Sequence, residues 1–283
     1  MTAVRETVRG LLELTRPVNV IAASVLTFIG AFVAGGVTEY PLEVGAAVAA
    51  TGLAVGAGNA INDYFDREID RINQPERAIP RGAVSPRGAL VFSIVLFVAA
   101  VGLALTLPVL ALAIAGINLV ALVAYTEFFK GLPGLGNALV AYLVGSTFLF
   151  GAAAVGDVWP AVTLAILAAV ATVTREIVKD VEDVSGDREE GLNTLPIAVG
   201  ERRALVIAAV VLVAGVLASP LPYFLEYFGV TYLFVVLPAV LVMLGGMVRS
   251  FDDPTSGQTL LKYGMFLAAV AFIAGRVALE FGW

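Results

Sequence analysis

Runs of about twenty apolar residues alternate along the chain with short polar stretches, and this alternation sets the elements expected. A membrane-spanning helix needs roughly 20 predominantly apolar residues. Nine stretches qualify, at about 17–36, 42–62, 88–106, 108–126, 137–155, 158–179, 203–219, 230–248 and 260–279. Short turns at Pro108 and at Gly156-Asp157 fold the third and fourth, and the fifth and sixth, into helical hairpins. No soluble-type linker divides the chain. The pattern predicts an all-α, polytopic membrane protein with about nine transmembrane helices around a central cavity, forming a single domain over residues 1–283.

Composition agrees: 59% of the 283 residues are hydrophobic and only 14% are charged, against about a quarter in a typical soluble domain. Charge placement adds direction. With the N-terminus in the cytoplasm, 16 of the 17 Lys/Arg residues fall in cytoplasmic segments, and only Arg276 lies near the opposite face. That asymmetry follows the positive-inside rule and predicts an N-terminus inside and a C-terminus outside. The acidic residues share this geography. Glu39, Glu43, Asp157, Glu226 and Glu280 lie outside, while the other 18 lie inside, most of them in two loops. The N-terminal segment has no short apolar core with a small-residue cleavage site, so no removable signal peptide is expected.

Cysteine and histidine are both absent. This removes thiol nucleophiles, disulfides, imidazole bases and thiolate or imidazole zinc sites. Chemistry must come from carboxylates, Arg/Lys, Tyr, Ser/Thr and Asn, a repertoire that suits hard cations such as Mg²⁺. A net charge of −6 argues against nucleic acid as a partner. Nothing in the sequence points to a protein partner.

The two acidic loops are matched. Asn59, Asp63, Asp66 and Asp70 follow one another at spacings of 4, 3 and 4; Glu176, Asp180, Asp183 and Asp187 repeat those spacings 117 residues later. Steps of three and four place each set on one helix face. Four helices separate the sets, so both emerge on the same side, as in a parallel internal repeat. Both rows sit at helix C-terminal ends, where the macrodipole is already negative. Divalent cations would reverse that penalty. Two Asp rows with Mg²⁺ at a membrane surface can hold a diphosphate, with Arg67, Arg71, Arg77, Arg81 and Lys179 near enough for the remaining oxygens. The apolar bundle would sheathe an isoprenoid tail and exclude water from an allylic cation.

The stretch Asn62–Asp70 resembles the first Asp-rich motif of the UbiA-type intramembrane prenyltransferases, and Asp183-x-x-x-Asp187, with Asp180 upstream, resembles the second. The resemblance extends over nearly the whole chain, including the Thr15-Arg16-Pro17-x-Asn19 entry to the first helix. Within the family, Arg175–Asp187 and the following Thr194–Pro196 are most similar to the archaeal ether-lipid branch, although Asn193 stands where that branch has a lysine. This implies transfer of a geranylgeranyl group from its diphosphate to the glycerol hydroxyl of geranylgeranylglyceryl phosphate. The partners implied are a prenyl diphosphate, a lipid-like acceptor and the membrane lipids, with the site near the cytoplasmic face. Asp63, Asp66 and Asp183 are the implied catalytic carboxylates, and Asp63, Asp66, Asp70, Asp180, Asp183 and Asp187 the implied Mg²⁺ ligands. Asn59, Asn62, Arg67, Lys130, Lys179 and Arg16 are the implied substrate contacts. Lys130 also reads as a positive-inside anchor, Arg16 as a flank of the first helix, and Tyr64 and Phe65 as packing aromatics.

Four alternatives, one of them within the same family, fit parts of the pattern. Within the same family, the acceptor can instead be an aromatic acid, a quinone precursor, a chlorophyll-type alcohol, haem or a carotenoid. A cation-coupled transporter also has repeats and intramembrane acids, but places its binding groups near the bilayer midplane. An intramembrane aspartyl protease needs two buried Asp residues sharing a proton, and a scaffold needs none of these carboxylates.

Overall fold

A computed structural model describes residues 2–282, without the side chains at 2, 3, 126 and 127. Those residues form helices and turns with no strand. In chain order the helices are α1 (Thr2–Leu14), α2 (Pro17–Val33), α3 (Pro41–Phe65), α4 (Arg67–Asn73), α5 (Pro86–Ala104) and α6 (Val109–Ala124). A π-helical turn at Tyr125–Phe129 leads to α7 (Leu135–Val155), α8 (Trp159–Glu182), α9 (Val184–Glu189), α10 (Leu195–Val199), α11 (Glu201–Ala218), α12 (Leu221–Phe224), α13 (Thr231–Arg249) and α14 (Pro254–Phe281). Proline opens α2, α3, α5 and α14, where its missing N–H costs nothing.

A helix occupies each of the nine apolar stretches. Among the described residues, seven helical segments are long and apolar enough to cross a membrane: α3, α5, α7, α8, α11 with α12, α13 and α14. The pair α1 and α2, bent by 47°, qualifies as an eighth only if counted together, and α6 is a shorter apolar helix of 16 residues. The bend has a local cause. The residue before a proline is pushed out of the helical region, and Arg16, before Pro17, adopts φ 51° and ψ 73°. Helix α1 is amphipathic. It seats Leu11 and Leu14 on Ile79 and Val84, and leaves Val4, Val8 and Leu12 exposed.

Helix α2 packs on α3, α7 and α14, while α8 packs on α7, α11 and α14. The α2–α7 crossing is made by backbone. A Cβ on Gly30 would collide with the Phe148 carbonyl, and one on Gly151 with the Thr27 carbonyl. Small residues that let backbones touch are the usual adhesive between helices in lipid, where the hydrophobic effect supplies none. Polar pairs add to it: Thr27 and Thr51 lie 2.9 Å apart across α2 and α3, and the Ser93 hydroxyl donates to the Ala57 carbonyl at 2.9 Å. An aromatic cluster of Phe148, Phe228, Tyr232 and Phe272 joins α7, α13 and α14. The faces of α5, α6, α11 and α13 turned away from this core expose Val95, Val98, Val120, Val210, Leu217 and Phe234, as surfaces solvated by hydrocarbon would.

The 117-residue repeat reappears in the backbone. Helix α3 breaks at Asp66 (φ −81°, ψ 0°) and α8 breaks at Asp183 (φ −93°, ψ 4°). Each break is followed by a short helix that restarts along the same acidic row.

Replacing Gly151 with valine should force α2 and α7 apart and lower stability by about 1–3 kcal/mol, the usual cost of overpacking. Gly102→Ala, where a Cβ meets nothing within 4 Å, should leave the melting temperature unchanged or slightly raised. Thermal melting of both purified variants checks this contrast.

Candidate active site

The two acidic rows are built alike but neutralised differently. In the first, Asp63 and Asp70 are buried, with 6% and 5% of their surface exposed. A carboxylate there must be paired or hydrogen-bonded. Arg16 donates to Asp63 Oδ1 at 2.7 Å, and Arg77 donates to Asp70 Oδ2 at 2.7 Å and to Asp63 Oδ1 at 3.5 Å. The left-handed backbone at Arg16 turns its side chain from the α1–α2 joint towards α3. Asn59 donates to the Thr15 carbonyl at 2.8 Å and ties the same joint to α3. Asp66 is exposed at the helix break, and among the described residues no hydrogen bond or ion pair engages its side chain.

The remaining arginines of this region are occupied elsewhere. Arg67 donates to the Tyr64 carbonyl at 2.8 Å and lies 4.8 Å over the Tyr64 ring. Arg71 pairs with Glu68, and Arg81 pairs with Glu13 and Glu6. Asn62 is exposed, beside but not within this network.

The second row lines a partly open cavity of about 80 Å³. Glu176, Asp180, Asp183 and Asp187 contribute its carboxylates, Lys130 and Lys179 its ammonium groups, and Tyr125, Asn137 and Thr194 its neutral polar groups. Asn137 donates to Asp180 Oδ2 at 2.8 Å, and the Thr194 hydroxyl donates to Asp187 Oδ2 at 3.1 Å. Burial pushes the Asp187 carboxyl up from its ordinary value; the Thr194 hydrogen bond and Lys179 oppose this, and Asp183 and Glu190 reinforce it. Lys179 and Lys130 reach Asp183 and Glu190 only at 3.7 and 3.8 Å, and all four side chains are about half-exposed. These ammonium groups are loosely held. On the far side, Arg175 pairs with Glu176 at 2.7 Å and donates to Gln258 on α14 at 2.9 Å.

Several sequence-predicted residues therefore meet: Asp180, Asp183, Asp187, Lys130 and Lys179 surround one cavity, and Arg16 joins Asp63 and Asp70 in one ion-pair network. Asn59 and Arg67 serve neighbouring backbone. Asn137 and Thr194 went unrecognised, since an isolated Asn or Thr beside an apolar run carries no periodic signal. Thr194 appeared only within the Thr194–Pro196 stretch that carries part of the family resemblance, with no carboxylate partner assigned to it.

The donor set is oxygen-only and anionic, as a hard divalent cation requires. Among the described residues, no three carboxylates converge closely enough to cage an ion unaided. Mg²⁺ does not need that. It keeps several waters and is usually held by one or two carboxylates together with substrate phosphates.

Comparison with known proteins fits this geometry. The family described as the UbiA prenyltransferase family matches residues 23–270. The chain belongs to that family. A relative from Natronomonas pharaonis named digeranylgeranylglyceryl phosphate synthase is 66% identical over 274 residues, covering 96% of this chain and 99% of the relative. A solved structure described as giving insights into digeranylgeranylglyceryl phosphate synthase in membranes superposes with a TM-score of 0.83 at 35% identity, over 96% of this chain and 99% of that one. A UbiA homologue from Archaeoglobus fulgidus, solved with GPP and Mg²⁺, shares the fold with a TM-score of 0.71 at 18% identity, over 96% and 99% of the two chains. All-helical architecture and multiple apolar spans are thus features of this UbiA chain.

Asn137→Leu should leave the Asp180 carboxylate without its donor and cost about 1–3 kcal/mol of stability, the range for stranding a buried polar group. Adding Asp180→Asn should recover much of the loss. A double-mutant cycle measured by thermal melting tests the coupling.

Proposed function

We propose that this chain is a Mg²⁺-dependent prenyltransferase that moves a geranylgeranyl group from geranylgeranyl diphosphate to the free glycerol hydroxyl of geranylgeranylglyceryl phosphate, forming the second ether bond of archaeal lipids. The observation that carries this reading is the 66% identity, along virtually the entire length, to a relative named digeranylgeranylglyceryl phosphate synthase. The site supports it with two carboxylate rows beside cationic side chains and above an apolar bundle. In the reaction, the allylic C–O bond to diphosphate breaks, the glycerol oxygen bonds to that carbon, and the hydroxyl proton leaves with the diphosphate or a carboxylate.

Bound Mg²⁺ would supply charge neutralisation of the departing diphosphate. Asp66 and Asp183, exposed at the two helix breaks, are the residues best placed to hold it, with Asp180 and Asp187 behind Asp183. Asp63 and Asp70 join this set once their arginines are drawn off. Lys130 and Lys179 can turn from their loose partners to diphosphate oxygens. The helices beneath bind the prenyl tail and keep water from the allylic carbon. The whole chain acts as one domain, with its N-terminus and site on the cytoplasmic side, as its basic loops imply.

Purified protein should convert radiolabelled geranylgeranyl diphosphate and the glycerol phosphate ether to product, and EDTA should abolish turnover. Transfer to 4-hydroxybenzoate but not to the glycerol phosphate ether would overturn the acceptor while sparing the class. Substrate flux without turnover would favour a transporter. Asp66→Asn and Asp183→Asn should each lower kcat/KM by roughly a hundredfold or more, as losing several kcal/mol of metal-borne stabilisation requires.

A further inference from the structure

Positions related by the 117-residue repeat carry the same acid but different partners. Asp63 and Asp70 each accept from a guanidinium at 2.7 Å. Their counterparts Asp180 and Asp187 accept from a neutral amide at 2.8 Å and a neutral hydroxyl at 3.1 Å. The buried charge of Asp63 and Asp70 is therefore already cancelled by short guanidinium pairs, whereas Asp180 and Asp187 accept only from neutral dipoles.

We propose that Arg16 and Arg77 hold the place of a cation at the first motif and yield it only when a diphosphate arrives, so that the second motif takes metal first. The inference rests on the metal-and-diphosphate reading of the site. A divalent ion approaching Asp180, Asp183 and Asp187 meets negative charge with no short cationic pair, and displaces at most the Lys179 ammonium held 3.7 Å from Asp183. One approaching Asp63 and Asp70 must expel two guanidinium groups of its own sign. An expelled guanidinium left beside the ion repels it. With a diphosphate present, the same planar guanidinium gains a multiply charged phosphate acceptor that it can bind bidentately. The exchange is specific to these two arginines, because Arg67, Arg71 and Arg81 are engaged outside the carboxylate row.

Linkage makes the effect reciprocal: diphosphate raises the first motif's metal affinity by the factor by which metal raises diphosphate affinity there. Arg16 and Arg77 are thus positioning residues for the first-motif metal, and they couple its arrival to that of the substrate.

Mn²⁺ binding to the purified full chain in nanodiscs, followed by electron paramagnetic resonance of the free ion, tests the order. Without diphosphate, wild-type binding should be lost in Asp183→Asn and retained in Asp66→Asn. The Arg16→Gln/Arg77→Gln variant should gain a second class of sites, tightened at least about fivefold, the lower end of typical coupling. Adding Asp66→Asn should remove that class again. Arg16→Lys/Arg77→Lys, which keeps the charge, should gain little, and inorganic diphosphate should create the second class in wild type.

Equal loss in Asp66→Asn and Asp183→Asn without diphosphate, or no gain in the glutamine variant, overturns the inference. If thermal melting shows the glutamine variant unfolded, the comparison of the two single asparagine variants decides alone. Absence of prenyl transfer alongside an intact metal order counts against the proposed activity only. A reversed metal order in an active enzyme counts against this inference only.

Discussion

Placing carboxylates at the C-terminal ends of α3 and α8 sets negative charge where each helix dipole is already negative and where the bundle beside it is poor in water. Asp63 and Asp70 are nearly inaccessible, and the second row lines a cavity whose other walls include Leu132, Val140 and Leu192. Such charge persists only if something offsets it. Around the first row the offset is two guanidinium groups delivered from the α1–α2 joint and from the loop after α4. Around the second it is an amide from α7, a hydroxyl from the entry to α10 and two loosely held ammonium groups. Much of the polar architecture at this end of the bundle serves that requirement.

The same requirement accounts for features that look incidental one at a time. A non-glycine residue in the left-handed region costs roughly 1–2 kcal/mol, yet Arg16 adopts it, because that conformation both bends the chain before Pro17 and carries the guanidinium to Asp63. The breaks at Asp66 and Asp183 end the long helices within their acidic rows. They expose one carboxylate in each row while its neighbours at −3 and +4 remain at least partly covered.

Most of this fold was legible because lipid enforces a simple rule: a spanning segment must be apolar over its length and helical throughout. The positions of all nine apolar helices followed from that rule. The number that truly span did not, since α6 is short and α1 with α2 forms a bent pair, and hydropathy is blind to such breaks. The acidic rows were legible from their spacing of 4, 3 and 4, and the cavity around Asp180, Asp183, Asp187, Lys130 and Lys179 follows from it. Spacing identifies a face but not what covers it. Arg67, adjacent to Asp66, turns to Tyr64, while Arg77, seven residues beyond Asp70, makes the short ion pair. Asn137 lies 43 residues from Asp180 and meets it only because α7 and α8 pack as a hairpin.

Gly30 and Gly151 give the bundle a particular mechanical character. At Gly30 and Gly151 the backbones of α2 and α7 meet directly, so at those two points no rotamer can absorb a change in separation. The gap between the two halves of the repeat is fixed by peptide bonds resting on peptide bonds, with the stiffness of backbone rather than the give of packed leucines. The acidic rows hang from the helices paired with α2 and α7. The spacing of α3 and α8, which pack on α2 and α7, therefore inherits a manufacturing tolerance set in the apolar interior by two residues that carry no chemistry.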